Sequence, residues 1–167
     1  MKTSKFSPKF LTGALIYLAF IYASLPWARS FLNRLYQVWP AKELGLMANL
    51  WLAAVGWWVT LSFWKRRGWF ALPFLLAIAG LLFYGWHLSR PEEKIHLVEY
   101  ALLGLLWERS FPGPKGLWLA FFLVTISGIV DEVIQYFLPN RVFDPRDIFM
   151  NVTSGVFGVC LARFGLF

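Results

Sequence analysis

The stretch TISGIVDEVIQYFLPNRVFDPRDIFMNVTSGVFG, residues 125–158, sets ionisable side chains inside and beside apolar runs. Asp131, Glu132 and Gln135 fall within one run, Asp147 and Asn151 open the next, and Arg141 and Arg146 lie in the short link between them. A charge in hydrocarbon is costly unless it is paired or hydrated, so groups placed this way are candidates for function.

The rest of the chain reads as the framework around that stretch. Of its 167 residues 59% are hydrophobic, 20% aromatic and only 15% charged. A soluble domain averages about 45–50% apolar and about 25% charged residues. The balance points to an all-α, polytopic transmembrane helical bundle. The formal charge of +7 comes from small groups of Lys and Arg between apolar runs, which is how membrane topology is written. No continuous basic face and no nucleic-acid motif is present, so no nucleic-acid partner is expected. Cys160 is the single cysteine, which rules out an intramolecular disulfide and a cysteine metal cluster. It reads as a small residue in a packed helix.

Six apolar segments are expected, at residues 10–27, 44–64, 69–86, 93–107, 117–138 and 148–164. A span takes about 20 residues for roughly 30 Å of hydrocarbon. The fourth is marginal, because Glu93, Lys94, His96 and Glu99 occupy its first half. Such a segment inserts reluctantly alone and should be shielded by its neighbours. Lys2, Lys5 and Lys9 precede the first segment as in a signal peptide, but no small-residue cleavage site follows. Pro26, Trp27 and Arg29 read as the end of a retained helix, and residues 30–43 as an interfacial amphipathic segment. Trp27, Trp39, Trp64, Trp69, Trp86, Trp107 and Trp118 lie near segment ends, as in interfacial aromatic belts. The compact Lys65-Arg66-Arg67 anchor favours both termini in the cytoplasm. The polar starts of segments four and six and the polar end of segment five then meet on the extracytoplasmic side.

Helical spacing sorts these polar residues into three stripes. Glu92 or Glu93, His96, Glu99 or Tyr100, and Gly104 share a face of the fourth segment. Ser127 or Gly128, Asp131 and Gln135 form the second, with Glu132 beside them. Asp147, Asn151, Ser154 or Gly155, and Gly158 form the third. Glu99 lies too deep for an unpaired charge, with His96 and Lys94 as its nearest partners. Asp147 at a helix start reads as a cap sooner than as a catalytic base. Asn151, Ser154, Gly155 and Gly158 read more readily as interhelical packing than as ligand contacts. Arg141 and Arg146 are solvated loop charges or balance Asp144 and Asp147, and His87 is interfacial.

Two blocks carry a family resemblance. EKIHLVEYALLG from Glu93, with its Lys-x-His, and DEVIQYFLPNRVFDPRDIFMNVTSGVFG from Asp131 resemble the VanZ-like family of bacterial integral membrane proteins, related to the teicoplanin resistance protein. In the second block the shared pattern is Asp-Glu-x-x-Gln, then Pro-x-Arg, then Asp-x-x-Asp-x-x-x-Asn-x-x-x-Gly. Glu93 stands where the family tends to have Asp, keeping the charge on a longer arm. The resemblance implies one domain over residues 1–167, its family-like core at about 88–167 and two to three additional membrane segments before it.

The first functional expectation joins the stripes to the resemblance. It is a protein of the bacterial inner membrane whose extracytoplasmic polar pocket binds an amphiphile, contributing to glycopeptide resistance of the teicoplanin type or to envelope homeostasis. Membrane lipids, a lipid-linked cell-wall precursor or a lipoglycopeptide are the expected ligands, with Lys94, Gln135, Arg141, Arg146, Asp147 and Asn151 as headgroup-binding candidates. The alternative is a membrane-embedded enzyme on a lipid-linked substrate, with His96, Glu99, Asp131 and Glu132 as acid and base candidates. A metal-assisted form would place a divalent cation on Asp131 and Glu132, although neither metal nor cofactor is expected. No Ser-centred nucleophile elbow, HExxH, P-loop or paired Arg and His phosphatase block occurs. A small proton-coupled transporter is a second alternative, disfavoured by the lack of visible inverted repeats.

Overall fold

A computed structural model describes residues 6–88, 90–139, 141 and 143–164. Lys2 and Lys5, part of the basic N-terminal group, lie outside the described residues. The helices are α1 (Pro8–Val38), α2 (Ala41–Arg67), α3 (Leu72–His87), α4 (Pro91–Ser110), α5 (Pro114–Phe137) and α6 (Pro145–Phe164), with a short 3-10 turn at Gly68–Ala71 between α2 and α3. No strand occurs among the described residues. α1, α4, α5 and α6 each begin on proline, whose fixed φ suits the first helical turn and whose missing N–H is not needed there. α2 stops at Gly68, whose φ of +53° lies in the left-handed region that glycine enters most readily. Lys65, Arg66 and Arg67 in its last turn face the negative end of the helix dipole.

Four helical runs are long and apolar enough to cross a membrane: Pro8–Val38, Ala41–His87, Pro114–Phe137 and Pro145–Phe164. The expected six spans are thereby corrected. The second and third apolar segments, α2 and α3, follow one another through the 3-10 turn over Ala41–His87, and α3 alone has only 16 residues. α4 does not qualify, because Glu92, Glu93, Lys94, Glu99, Glu108 and Arg109 interrupt it.

Two other expectations at the N-terminal end are overturned. Pro26 does not end the first helix; it lies inside α1, which runs for 31 residues. At 1.5 Å per residue that is about 46 Å, well beyond the hydrocarbon thickness. Residues 30–38 are therefore the last turns of α1 rather than part of a separate interfacial segment, and only Trp39 and Pro40 separate α1 from α2.

Residue pairs fix the helix directions. Ser7 N donates to Ser110 O at 3.1 Å while Arg29 meets Glu92 at 2.7 Å, so α1 and α4 are antiparallel. Leu52 lies against Gly85 and Leu82 against Gly56, so α3 folds back along α2. α4 touches every other helix. Its enclosure is the shielding its charges require, with Glu92, Lys94, His96, Tyr100 and Glu108 all buried. The core around it combines Tyr100, Leu103 and Trp107 with Ala14 and Ile21 of α1, Ala120 and Val124 of α5, and Val159 of α6. Contact between α4 and α6 depends on glycine. A Cβ on Gly104 would overlap the Gly155 carbonyl, and one on Gly158 would overlap that of Ala101. This is the close backbone approach by which membrane helices gain packing without a hydrophobic driving force.

Candidate functional site

α4, α5 and α6 bring their polar faces together. Asp131 is fully buried and accepts a hydrogen bond from Asn151 Nδ2 at 3.3 Å. His96 Nδ1 lies 3.4 Å from Glu99 Oε2 and 3.9 Å from Asp131 Oδ2, so two carboxylates from two helices address one imidazole nitrogen. One turn deeper, the Tyr100 hydroxyl on α4 and the Tyr22 hydroxyl on α1 both donate to Ser127 O, at 3.2 and 2.8 Å. Those tyrosines tie α1 and α4 to the α5 stripe. Asp131 Oδ1 and Asn151 Oδ1 are buried and hydrogen-bonded to nothing among the described residues.

Glu132 turns away from Asp131. Its Oε1 accepts from Gln135 Nε2 at 3.1 Å and its Oε2 from the Asp144 backbone N–H at 3.0 Å, which ties the α5–α6 link to α5. The two adjacent carboxylates thus have different partners. Among the described residues no group of three or more His, Cys, Asp or Glu could hold a metal ion.

The link itself differs from expectation. Asp144, not Asp147, caps α6: its Oδ1 accepts the Arg146 N–H at 2.9 Å, beside Pro145 at the first helical position. Asp147 lies in the first turn, half-buried. Arg146 pairs with Asp144 at 2.8 Å and is 78% exposed, so it points to solvent rather than to the polar cluster. That guanidinium holds the Asp144 carboxyl below the ordinary carboxylate range. Lys94 also leaves the cluster, donating to Asn49 Oδ1 of α2 at 2.6 Å, so the expected contact with Glu99 is not made. Of the candidate cations only Arg141 faces the cluster.

A cavity of about 260 Å³ opens beside these groups. Glu92, His96 and Glu99 form its α4 wall, one residue per turn, and Arg141 closes one side. Ile21, Leu25, Leu32 and Leu35 of α1, together with Leu44 of α2, make the rest largely apolar. Pro26 lies inside α1 beside the lining residue Leu25 but on the exposed side, where it removes one backbone hydrogen bond from the helix. Burial lowers the Arg141 guanidinium from its ordinary value. Its Nε is buried, with no hydrogen-bond partner among the described residues. Arg29 and Glu92 form an ion pair at the cavity edge, with side chains 34% and 11% exposed. Sequence reading missed this pair as a unit, since 63 positions separate its members and neither belongs to a motif. A second pair, buried Glu108 with the partly exposed Arg163 at 3.4 Å, lies near the other end of α4.

The fold and these groups define a multi-pass, all-α membrane protein with polar side chains enclosed among its helices. The VanZ/LLP1 family model matches residues 9–166, and the chain belongs to the VanZ-like family. The match reaches far beyond the blocks after Glu93 that carry the resemblance, taking in α1, α2 and α3. Comparison with curated proteins and with solved structures gives no match.

Proposed function

We propose that the cavity between α1 and α4 binds an amphiphile of the cell envelope by its anionic headgroup, and that this binding underlies a role in envelope homeostasis or glycopeptide resistance. The observation that carries the reading is Arg141, half-buried with its Nε enclosed, on the wall of a cavity whose α1 side is largely apolar. Guanidinium is the side chain best matched to phosphate and carboxylate oxygens, and it binds them more strongly where water is excluded. Lipid tails would run along Leu25, Leu32 and Leu35. Gln135, Asp147 and Asn151 are not among the lining residues, Gln135 donating to Glu132 and Asn151 to Asp131, and Lys94 and Arg146 act elsewhere. In this reading the whole chain is one domain of the bacterial inner membrane, with its termini in the cytoplasm and the cavity toward the outer face. A lipid-linked wall precursor or a lipoglycopeptide fits the chemistry of the cavity.

The test is binding of a phosphate-headed lipid to the purified protein in nanodiscs. A charge-assisted hydrogen bond is worth about 1.5–3 kcal/mol, so Arg141→Ala should weaken binding by roughly 10- to 100-fold. Unchanged affinity would remove the basis of the proposal.

A second reading rests on His96. With Glu99 and Asp131 both within 4 Å of its Nδ1, which has no hydrogen-bond partner among the described residues, the imidazole borders the cavity as a general base or acid would. Turnover of a lipid-linked substrate that is lost in His96→Gln while binding persists would favour it. Turnover unaffected by that change would exclude it.

A further inference from the structure

The cavity holds two opposite needs. Arg141 forms no ion pair with any carboxylate among the described residues, and Arg29 pairs with Glu92 through Oε1 alone, leaving Glu92 Oε2 without a hydrogen-bond partner among them. Farther along the α4 wall, Glu99 lines the same cavity with its side chain 22% exposed, and its ion-pair contact is the His96 imidazole. Glu92 and Glu99 are seven residues apart, about 10 Å along the helix, with His96 between them. A headgroup bearing only negative charge would satisfy Arg141 and then crowd Glu99 with like charge in a low-dielectric setting. A headgroup with a cation at its far end satisfies both.

The nature of the cation follows from the wall. Glu99 offers carboxylate oxygens, which accept N–H donors. A quaternary ammonium has no N–H to give and is usually held by a cage of aromatic rings. Phe31 is the single aromatic side chain lining this cavity among the described residues, so no such cage is present. We infer that the ligand's headgroup is zwitterionic, an anionic phosphate seated on Arg141 joined by a short linker to a primary amine seated on Glu99. This inference rests on the amphiphile-binding reading and adds the chemical class of the headgroup.

The test compares four probes on the protein in micelles of a nonionic detergent: phosphatidic acid, phosphatidylethanolamine, phosphatidylcholine and water-soluble O-phosphoethanolamine. The expected result is that phosphatidylethanolamine binds at least about tenfold tighter than phosphatidic acid or phosphatidylcholine, since a charged hydrogen bond is gained. The soluble headgroup should bind more weakly than the lipid, because it lacks tails to bury along α1. Glu99→Gln should erase the preference for the amine while leaving phosphatidic acid bound at least as well, which also shows that the variant is folded. Equal binding of the three lipids with Arg141→Ala still harmful would overturn the amine assignment and leave the amphiphile reading standing. Indifference of every probe to Arg141→Ala would overturn both. Soluble O-phosphoethanolamine binding as tightly as the lipid would overturn the membrane origin of the ligand.

Discussion

Asp131 shows how much of the centre depends on single polar groups. It is fully buried, within reach of Asn151 and His96 on two other helices. Asp131→Ala leaves Asn151 Nδ2 without its acceptor, at about 1–3 kcal/mol for a buried group so stranded. Thermal unfolding in detergent should fall by several degrees for Asp131→Ala and much less for Asp131→Asn, which preserves shape and hydrogen bonding. Equal melting of Asp131→Ala and wild type would show that the cluster does not hold the helices. Asp144 gives a pH signature. Its folded-state value is depressed by Arg146, so its contribution to stability is present above the unfolded carboxylate value, about 4, and disappears as pH falls through the depressed value. The stability gap between wild type and Asp144→Asn, followed from pH 6 down to pH 3, should narrow; a gap that widened in acid would contradict this sign.

These residues also mark the limit of what the sequence discloses. The meeting of His96, Asp131 and Asn151 is legible, because a period of 3.6 places each on a stripe and a lipid-facing alternative is too costly. Lys94 and Arg146 are not, since a long flexible side chain takes whichever acceptor the tertiary fold supplies, Asn49 in one case and Asp144 in the other. The Asp144 cap was readable in principle from its place immediately before Pro145, a residue that favours the first turn. Arg29 with Glu92 had no local signal at all.

At the scale of elements, α4 is the organising helix and its glycines are the constraint. Gly104 and Gly158 admit backbone where a methyl group would stand. Replacing either by leucine must push α4 and α6 apart, and overpacking of this kind costs about 1–3 kcal/mol. Gly104→Leu should therefore lower the unfolding temperature and slacken the His96–Asp131 approach. Gly80→Leu is the control, since nothing lies within 4 Å of a Cβ built there. Equal effects of the two changes would show that the α4–α6 contact is not close-packed. The apolar periods foretold α5 and α6 well, but misjudged α1, because proline marks a helix end in water more firmly than it does among membrane helices. The charges at Lys65 to Arg67 do mark the end of α2, and the 3-10 turn after Gly68 reverses the chain so that α3 returns along it.

At the scale of the molecule, lipid-facing surface and enclosed polarity are separated. Trp57, Trp58, Phe70, Phe83 and Phe122 are exposed and suited to lipid, while the acids, the imidazole and the amides of α4, α5 and α6 turn inward. The cavity joins the two regions, with an apolar wall on α1 and charge on α4 and Arg141. The central claim is that an amphiphile occupies this cavity with its head on Arg141. The most direct measurement places a photo-crosslinking amino acid at Ser24, on the cavity wall, and another at Phe122, on the exposed surface of α5, in living cells. Mass spectrometry of the adducts should find a phosphate-bearing lipid enriched at position 24 and lost when Arg141→Ala is added, with position 122 unchanged. The same bulk lipids at both positions, insensitive to Arg141, would contradict the claim.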